Sequence, residues 1–310
     1  MIKIEDIKNK EDMRQALEGQ SYIANNEIVN TIYNAIKLDM PILIEGPAGV
    51  GKTELSKVIE KAFGLELLRI QCFAGQDFTK VLYEWDYSKQ MLIVQMMQSV
   101  FKDKLEGLEL DDAIKVVGGG SAFYKEEFLL KRPLLDSITS NERKVLLIDE
   151  LDKSDEEFEA LLLEFLGEFS VTIPGYKTVK CEDNNKPIVI LTSNSQRELS
   201  EALKRRCAYL YIDYPTEEME SKIIQDKANV DSNLADKIAS AVARIRSIER
   251  VKQKPSVAES VTWAKSLVAN LGLNETLNSN KEDIDLTLNL LLKNKKDIDL
   301  VRKSEYLNNL

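Results

Sequence analysis

Apolar residues fall into two regimes along this chain. Up to about residue 214, short and nearly continuous apolar runs alternate with stretches of helical periodicity, and beyond that only the helical period remains. The runs Pro41–Ile44, Leu65–Ile70, Val145–Ile148, Ile188–Leu191 and Tyr209–Ile212 read as strands with no wet face. Such strands, separated by helices, predict a parallel sheet covered on both sides. Leu55, Val58, Ile59 and Ala62 recur at helical spacing before Gly64, a natural helix stop. A helix is predicted over 155–168, with Ser154 and Glu157 as a capping box and Phe158, Leu161, Leu162 and Phe165 on one face. Val171–Gly175 and Thr178–Lys180 predict a short hairpin. After Pro215, one helix starts with Glu217 and Glu218, and another carries Leu234, Ile238, Val242 and Ile245. A third carries Val257, Val261, Ala264, Leu267 and Val268, and two amphipathic helices each contain Asp-Ile-Asp-Leu, at 283–286 and 297–300. The pattern predicts an α/β domain over 1–213 and an all-α domain over 214–310, joined near 213–216.

One string changes this picture from architecture to chemistry. Gly46-Pro47-Ala48-Gly49-Val50-Gly51-Lys52-Thr53 follows directly on the first strand and runs into Glu54 and a helix. A strand, a glycine-rich turn and a helix N-terminus together aim backbone N–H groups and a positive dipole end at an anion. Glycines at 46, 49 and 51 let the backbone wrap a phosphate chain without side-chain clashes. Lys52 can neutralise β/γ-phosphate charge, and the Thr53 hydroxyl can ligate Mg²⁺. The bland alternative is a chance match in a strand–turn–helix unit; the placement favours nucleoside triphosphate binding.

Three further signals sit at strand ends or helix ends. Asp149-Glu150 closes the run Val145–Ile148, on the edge where doubly wound sheets bind ligands. Asp149 can hold Mg²⁺ through its water shell and Glu150 can polarise a water; alternatively either simply caps a helix. Asn194 follows Leu191-Thr192-Ser193 and can orient a lytic water, although a loop-capping asparagine would look the same. Arg205 and Arg206 stand just before a buried strand, as surface charges or, in a ring of subunits, as an arginine finger.

Composition narrows the chemistry. The chain has no histidine, so general-base work falls to a carboxylate. Its formal charge of −10 argues against a broad duplex-DNA footprint, which needs a basic surface. Cys72, Cys181 and Cys207 are scattered and odd in number, which reads as reduced thiols in a cytoplasm. No apolar run approaches the ~18 residues of a membrane span, and Met1–Asp6 lacks a signal-peptide core.

The order GPAGVGKT, VLLIDE, LTSN and ALKRRC followed by helices resembles an AAA+ ATPase, and is closer still to the MoxR group and its CoxD/NorQ/CbbQ-like members. Leu82–Tyr87, Glu127–Leu135, Glu156–Ala160, Val171–Pro174 and Lys254–Ala264 support the likeness, which spans roughly residues 19–270; the LYEWDY and KPSVAES strings discriminate best. The resemblance implies a P-loop NTPase αβα sandwich with a parallel sheet, the AAA+ core, and a C-terminal all-α lid. It implies that Lys52 and Thr53 serve the nucleotide and Mg²⁺, Asp149 and Glu150 are the Walker B pair, and Asn194 is the sensor-1 residue. Arg206 is then the better finger candidate and Arg205 the second. Gly19–Ile23, with Tyr22 and Ile23, sits where such ATPases pack the adenine, and the 169–181 hairpin is the insertion before sensor 1. Many MoxR proteins carry a sensor-2 arginine at a lid helix start; here Lys254-Pro255-Ser256 stands there, so Lys254 substitutes or the lid senses nucleotide differently.

The resemblance further implies a homo-oligomeric ring, usually a hexamer, that spends ATP to remodel a client protein or to assist metal-cofactor insertion. Its usual partner bears a von Willebrand factor A-type domain. Residues 88–126, with Gly118-Gly119-Gly120-Ser121 as a joint, are expected to form a loop facing the pore or the partner, or else a plain surface insertion. Two other readings stay open: a nucleic-acid motor or loader on the same core, disfavoured by the acidic charge, and a nucleotide-dependent scaffold with little hydrolysis, disfavoured by Glu150 and Arg205-Arg206.

Overall fold

The computed structural model of the chain describes residues 3–77, 79–93, 95, 124–271 and 281–303. In chain order these form α1 (Lys10–Glu18), α2 (Asn26–Lys37), β1 (Ile42–Glu45), α3 (Lys52–Phe63), β2 (Leu67–Gln71), α4 (Thr79–Leu82) and β3 (Tyr83–Trp85). Next come β4 (Leu129–Lys131), α5 (Pro133–Thr139), β5 (Val145–Asp149), α6 (Glu156–Glu168), β6 (Ser170–Thr172), β7 (Thr178–Lys180) and β8 (Ile188–Ser193). The rest are α7 (Glu201–Lys204), β9 (Ala208–Tyr211), α8 (Glu217–Ala228), α9 (Ser232–Ser247), α10 (Val257–Leu271), α11 (Lys281–Leu291) and α12 (Lys295–Arg302). No helix among the described residues is long and apolar enough to cross a membrane.

The predicted strands join into one five-stranded parallel sheet, order β2-β5-β8-β1-β9. Its central strands β5 and β8 are buried along their whole length, as continuous apolar runs require. Register is fixed by Leu67↔Val145 through Gln71↔Asp149 on one side of β5 and Val145↔Ile188 on the other. That register brings the end of β2 level with the acidic end of β5. At β9 the ladder runs from Ala208 N–H to the Pro41 carbonyl and from Ile212 N–H to the Glu45 carbonyl, both at 2.8 Å.

Contacts gather the chain into two compact units, and the division passes through β1 and β9. One unit holds Thr31–Leu43 and Ile59–Tyr209. Its core packs Leu146, Ile148, Phe158, Leu162, Phe165 and Leu191 from β5, α6 and β8. The hairpin is present as β6 and β7, paired through Val171↔Val179. Two of the supporting stretches turn out to be partners: Tyr83-Glu84-Trp85 pairs antiparallel with Leu129-Leu130-Lys131. Trp85 then packs edge-on against Tyr176 of the β6–β7 turn at 6.4 Å between ring centres. Most of the expected 88–126 loop, Gly118–Ser121 included, lies outside the described residues.

The capping prediction for α6 needs correction. Asp155, not Ser154, is its N-cap and accepts from the Phe158 N–H at 2.9 Å. Ser154 is buried and its hydroxyl is already spent on the Leu151 carbonyl of the preceding turn, 2.7 Å away.

The second unit holds Met1–Asn30, Ile44–Val58 and Leu210–Leu310. Ile224, Ile238, Val242, Trp263, Leu267 and Leu288 form the core of its helices. The stripe predicted for α10 divides: Ala264 and Leu267 are buried there beside Trp263, whereas Val257 and Val261 are half-buried and line a cavity. The repeated Asp-Ile-Asp-Leu forms two helices with unlike roles. Leu286 is exposed, while Asp297 is buried and accepts from the Lys252 and Gln253 N–H groups at 3.2 Å.

Candidate nucleotide site and acidic cluster

Within the helical unit, β1 ends at Glu45 and the loop turns into α3 at Lys52. Gly46, Gly49 and Gly51 take φ of 149°, 76° and 99°, which side-chain-bearing residues rarely adopt. At two of them there is also no room. A Cβ on Gly46 would lie 2.0 Å from the Ile212 carbonyl oxygen, and one on Gly49 would lie 2.2 Å from Cβ of Ser256. Lys52 is buried, and its Nζ donates to the Gly46 and Pro47 carbonyls at 2.7 Å, so the loop folds around its own ammonium. The start of α10 rests on the same loop. Val257 N–H donates to the Gly49 carbonyl at 3.3 Å, and Ser256 and Glu259 close a reciprocal capping box. That box was legible as S-x-x-E in Ser256–Glu259.

A cavity of about 690 Å³ opens beside the loop, within the size range of small-molecule sites. Tyr22, Ile23, Val58, Pro215, Met219 and Val261 give it apolar walls, and Gly49, Val50, Gly51 and Glu54 form its loop side. Tyr22 and Ile23 thus share one cavity with the loop residues Gly49, Val50 and Gly51. Burial, helped by the Glu54 charge, pushes the Tyr22 phenol upward and keeps it neutral. Glu54 also reaches Lys227 of α8 at 3.7 Å, both lining the cavity. Lys254 is exposed and is not among the lining residues.

Sequence reasoning missed the residue that holds these walls. Arg246 of α9 is 7% exposed. It forms a bidentate pair with Glu220 of α8, donates from Nε to the Pro255 carbonyl at 2.8 Å and lies 4.3 Å from the ring centre of Tyr214, a lining residue. A helical arginine reads as a surface charge in sequence, and no local pattern marks this one as buried.

The acidic cluster belongs to the other unit. Asp149 is buried at the end of β5; Oδ1 accepts from the Thr192 hydroxyl and Oδ2 from Arg69, each at 2.6 Å. Glu150 has φ of 57° and donates its N–H to the Thr192 hydroxyl at 2.9 Å. This left-handed turn swings its carboxylate to Gln71 Nε2 at 2.8 Å, Lys153 Nζ at 2.7 Å and Asn194 Nδ2 at 3.4 Å. The fold thus brings Asn194 to Glu150, and it adds Arg69, Gln71, Thr192 and Lys153, which were not foreseen. The concentration of negative charge registers on Cys72, whose thiol is pushed up to about 12 by burial and then by Asp149, Asp152 and Glu150. Arg206 is exposed and donates to its own helix, to the Ala202 carbonyl at 3.2 Å. Arg205 is exposed at the end of α7.

Asp149 and Thr53 offer hard oxygen donors suited to Mg²⁺. Among the described residues no group of three or more His, Cys, Asp or Glu could hold a metal alone. One or two protein oxygens plus nucleotide phosphates is the usual way Mg²⁺ is held.

Residues 41–207 match the AAA domain family, dynein-related subfamily. The chain is 23% identical to protein CbbQ of Hydrogenophilus thermoluteolus over 219 residues, covering 68% of this chain and 67% of that protein. It is 22% identical to an uncharacterised protein of Staphylococcus saprophyticus over 228 residues, 72% of this chain and 73% of that one. Among solved structures, the Holliday junction branch migration motor RuvB of Thermotoga maritima aligns with a TM-score of 0.45 at 15% identity, over 93% of this chain and 72% of that one. The family match covers the strand before the phosphate loop through to Cys207, and so takes in the loop, the acidic pair, Asn194 and both arginines. The chain belongs to the AAA domain family, in its dynein-related subfamily.

Proposed function

We propose that this chain is a Mg²⁺-dependent ATPase of the MoxR type, with a core over 1–213 and a helical lid over 214–310. The observation that carries the reading is the loop Gly46–Thr53: glycine conformations that other residues rarely adopt, a buried lysine near its end, and a large apolar cavity beside it. The cavity takes the adenine against Tyr22 and Ile23. The loop N–H groups and Lys52 hold the phosphates, with Gly46 through Gly51 and Glu54 shaping the loop. Thr53 and Asp149 are the metal-binding residues, and Mg²⁺ bound with the nucleotide neutralises charge at the β- and γ-phosphates. Glu150 accepts the proton of the attacking water, since the chain has no histidine to do so. Asn194 orients that water or holds Glu150. Arg206, or Arg205, supplies positive charge to a neighbouring subunit's γ-phosphate, and Lys254 is a reserve cation from the lid.

A finger acting between subunits requires a homo-oligomeric ring, which we take as a hexamer in the cytoplasm. The likeness to CbbQ supports the MoxR type, and with that type we take a chaperone-like role on a client protein, with a von Willebrand factor A-domain protein as partner. The test is ATP turnover per subunit against protein concentration with Mg²⁺. Specific activity should rise as subunits assemble, vanish in Glu150→Gln, and fall by ~10³-fold in the finger variant. Flat specific activity unaffected by Arg205→Ala and Arg206→Ala would remove the ring mechanism, and turnover surviving in Glu150→Gln would remove the assigned base.

A further inference from the structure

We propose that Arg69 is a built-in counter-cation for Asp149 that competes with divalent metal for this carboxylate, so that the Arg69–Asp149 pair sets how much metal the chain requires. The inference rests on reading Asp149 as the metal-binding carboxylate.

Three observations carry it. First, the Thr192 hydroxyl binds Oδ1 of Asp149, and Arg69 Nη2 binds the other oxygen, Oδ2, at 2.6 Å. A metal drawing on Oδ2 meets a guanidinium already in place. Second, the placement is built in by the sheet. β2 pairs with β5 so that Gln71 stands opposite Asp149, and the two-residue strand period puts Arg69 on the same side as Gln71. The same Nη2 also donates to the Gln71 side chain, whose amide in turn holds Glu150. Third, the two partners differ in what leaving costs them. The Asp149 side chain is 5% exposed, so its charge needs a partner; the Arg69 side chain is 50% exposed and can return to water. The arrangement therefore favours exchange of one cation for another, with Arg69 as the one that moves.

The test measures affinity for a fluorescent, non-hydrolysable ATP analogue in EDTA and across a Mg²⁺ series, with thermal unfolding in parallel. The variants are Arg69→Gln, Arg69→Lys, Asp149→Asn and the Arg69→Gln/Asp149→Asn double. Arg69→Gln should lower the half-saturating Mg²⁺ concentration about threefold or more, with affinity in EDTA unchanged. Arg69→Lys, which keeps the charge, should shift it less, and the effect of Arg69→Gln should disappear in the Asp149→Asn background. An unchanged midpoint in Arg69→Gln overturns the proposal, as does a raised one, which would make Arg69 a holder of Asp149. A loss of EDTA affinity and stability without a midpoint shift also overturns it, by showing a purely structural role. Should the wild-type midpoint survive Asp149→Asn, the metal role of Asp149 fails and this inference with it; failure confined to Arg69 leaves that role standing.

Discussion

Gln71, the last residue of β2, donates from Nε2 to Oε2 of Glu150 at 2.8 Å across 79 residues of sequence. The proposed general base is therefore held from the neighbouring strand, and Lys153 occupies the same oxygen. Each of these hydrogen bonds competes with any other partner the carboxylate could take, an attacking water included.

Gln71→Ala should accordingly raise ATP turnover at saturating Mg²⁺ by roughly two- to tenfold, the scale of one hydrogen bond to a charged group only partly lost. Steady-state turnover with nucleotide affinity measured separately checks this. A fall in turnover with unchanged affinity would instead make Gln71 a positioner of Glu150.

Gly49→Ala should be far more damaging than Gly51→Ala. Both residues have positive φ, which alone costs roughly 1–2 kcal/mol in a non-glycine residue. At Gly49 the new Cβ would also meet Ser256 at 2.2 Å, whereas at Gly51 nothing lies within 4 Å. The expected outcome is loss of nucleotide binding by more than about tenfold in Gly49→Ala, with Gly51→Ala closer to wild type, read by titration with a fluorescent nucleotide.

Arg246→Met should destabilise the chain by about 3–5 kcal/mol, because Glu220, 1% exposed, would be left charged and unpaired. The double variant Arg246→Met/Glu220→Leu should recover much of that loss. Urea unfolding of the two variants decides between pair and packing, and nucleotide affinity reports whether Tyr214 still forms the cavity wall.

Cys72, Cys181 and Cys207 are all buried, and burial raises each thiol, Cys72 and Cys207 to about 12. A folded-state value above the unfolded one means the folded chain keeps protons that the unfolded chain loses. The contribution is complete below the unfolded thiol value of about 8.5 and disappears as pH rises towards 12. The native protein should thus give almost no reaction with a thiol reagent at pH 8, and three thiols once unfolded. Stability should fall between about pH 8.5 and 12, less steeply in Cys72→Ala.

The phosphate loop, the strands and the acidic strand end are legible in the sequence because each depends on neighbours along the chain. A glycine-rich turn, a two-residue or continuous apolar run and a helical stripe all report local backbone preference and burial. The Val171–Lys180 hairpin and the paired Asp-Ile-Asp-Leu helices were readable for the same reason. Local signals fail where a group has two uses: Ser154 looked like a cap until its hydroxyl proved spent on Leu151, and Val261, on the predicted stripe of α10, packs against the core and also lines the cavity. What the tertiary structure alone decided is which distant side chains meet. Strand order put β2 beside β5, and register then set Arg69 and Gln71 on Asp149 and Glu150. Helix packing buried Arg246 against Glu220 and Tyr214. Partners contributed by separate elements leave no trace in either one's periodicity, because only pairing and packing fix their distance.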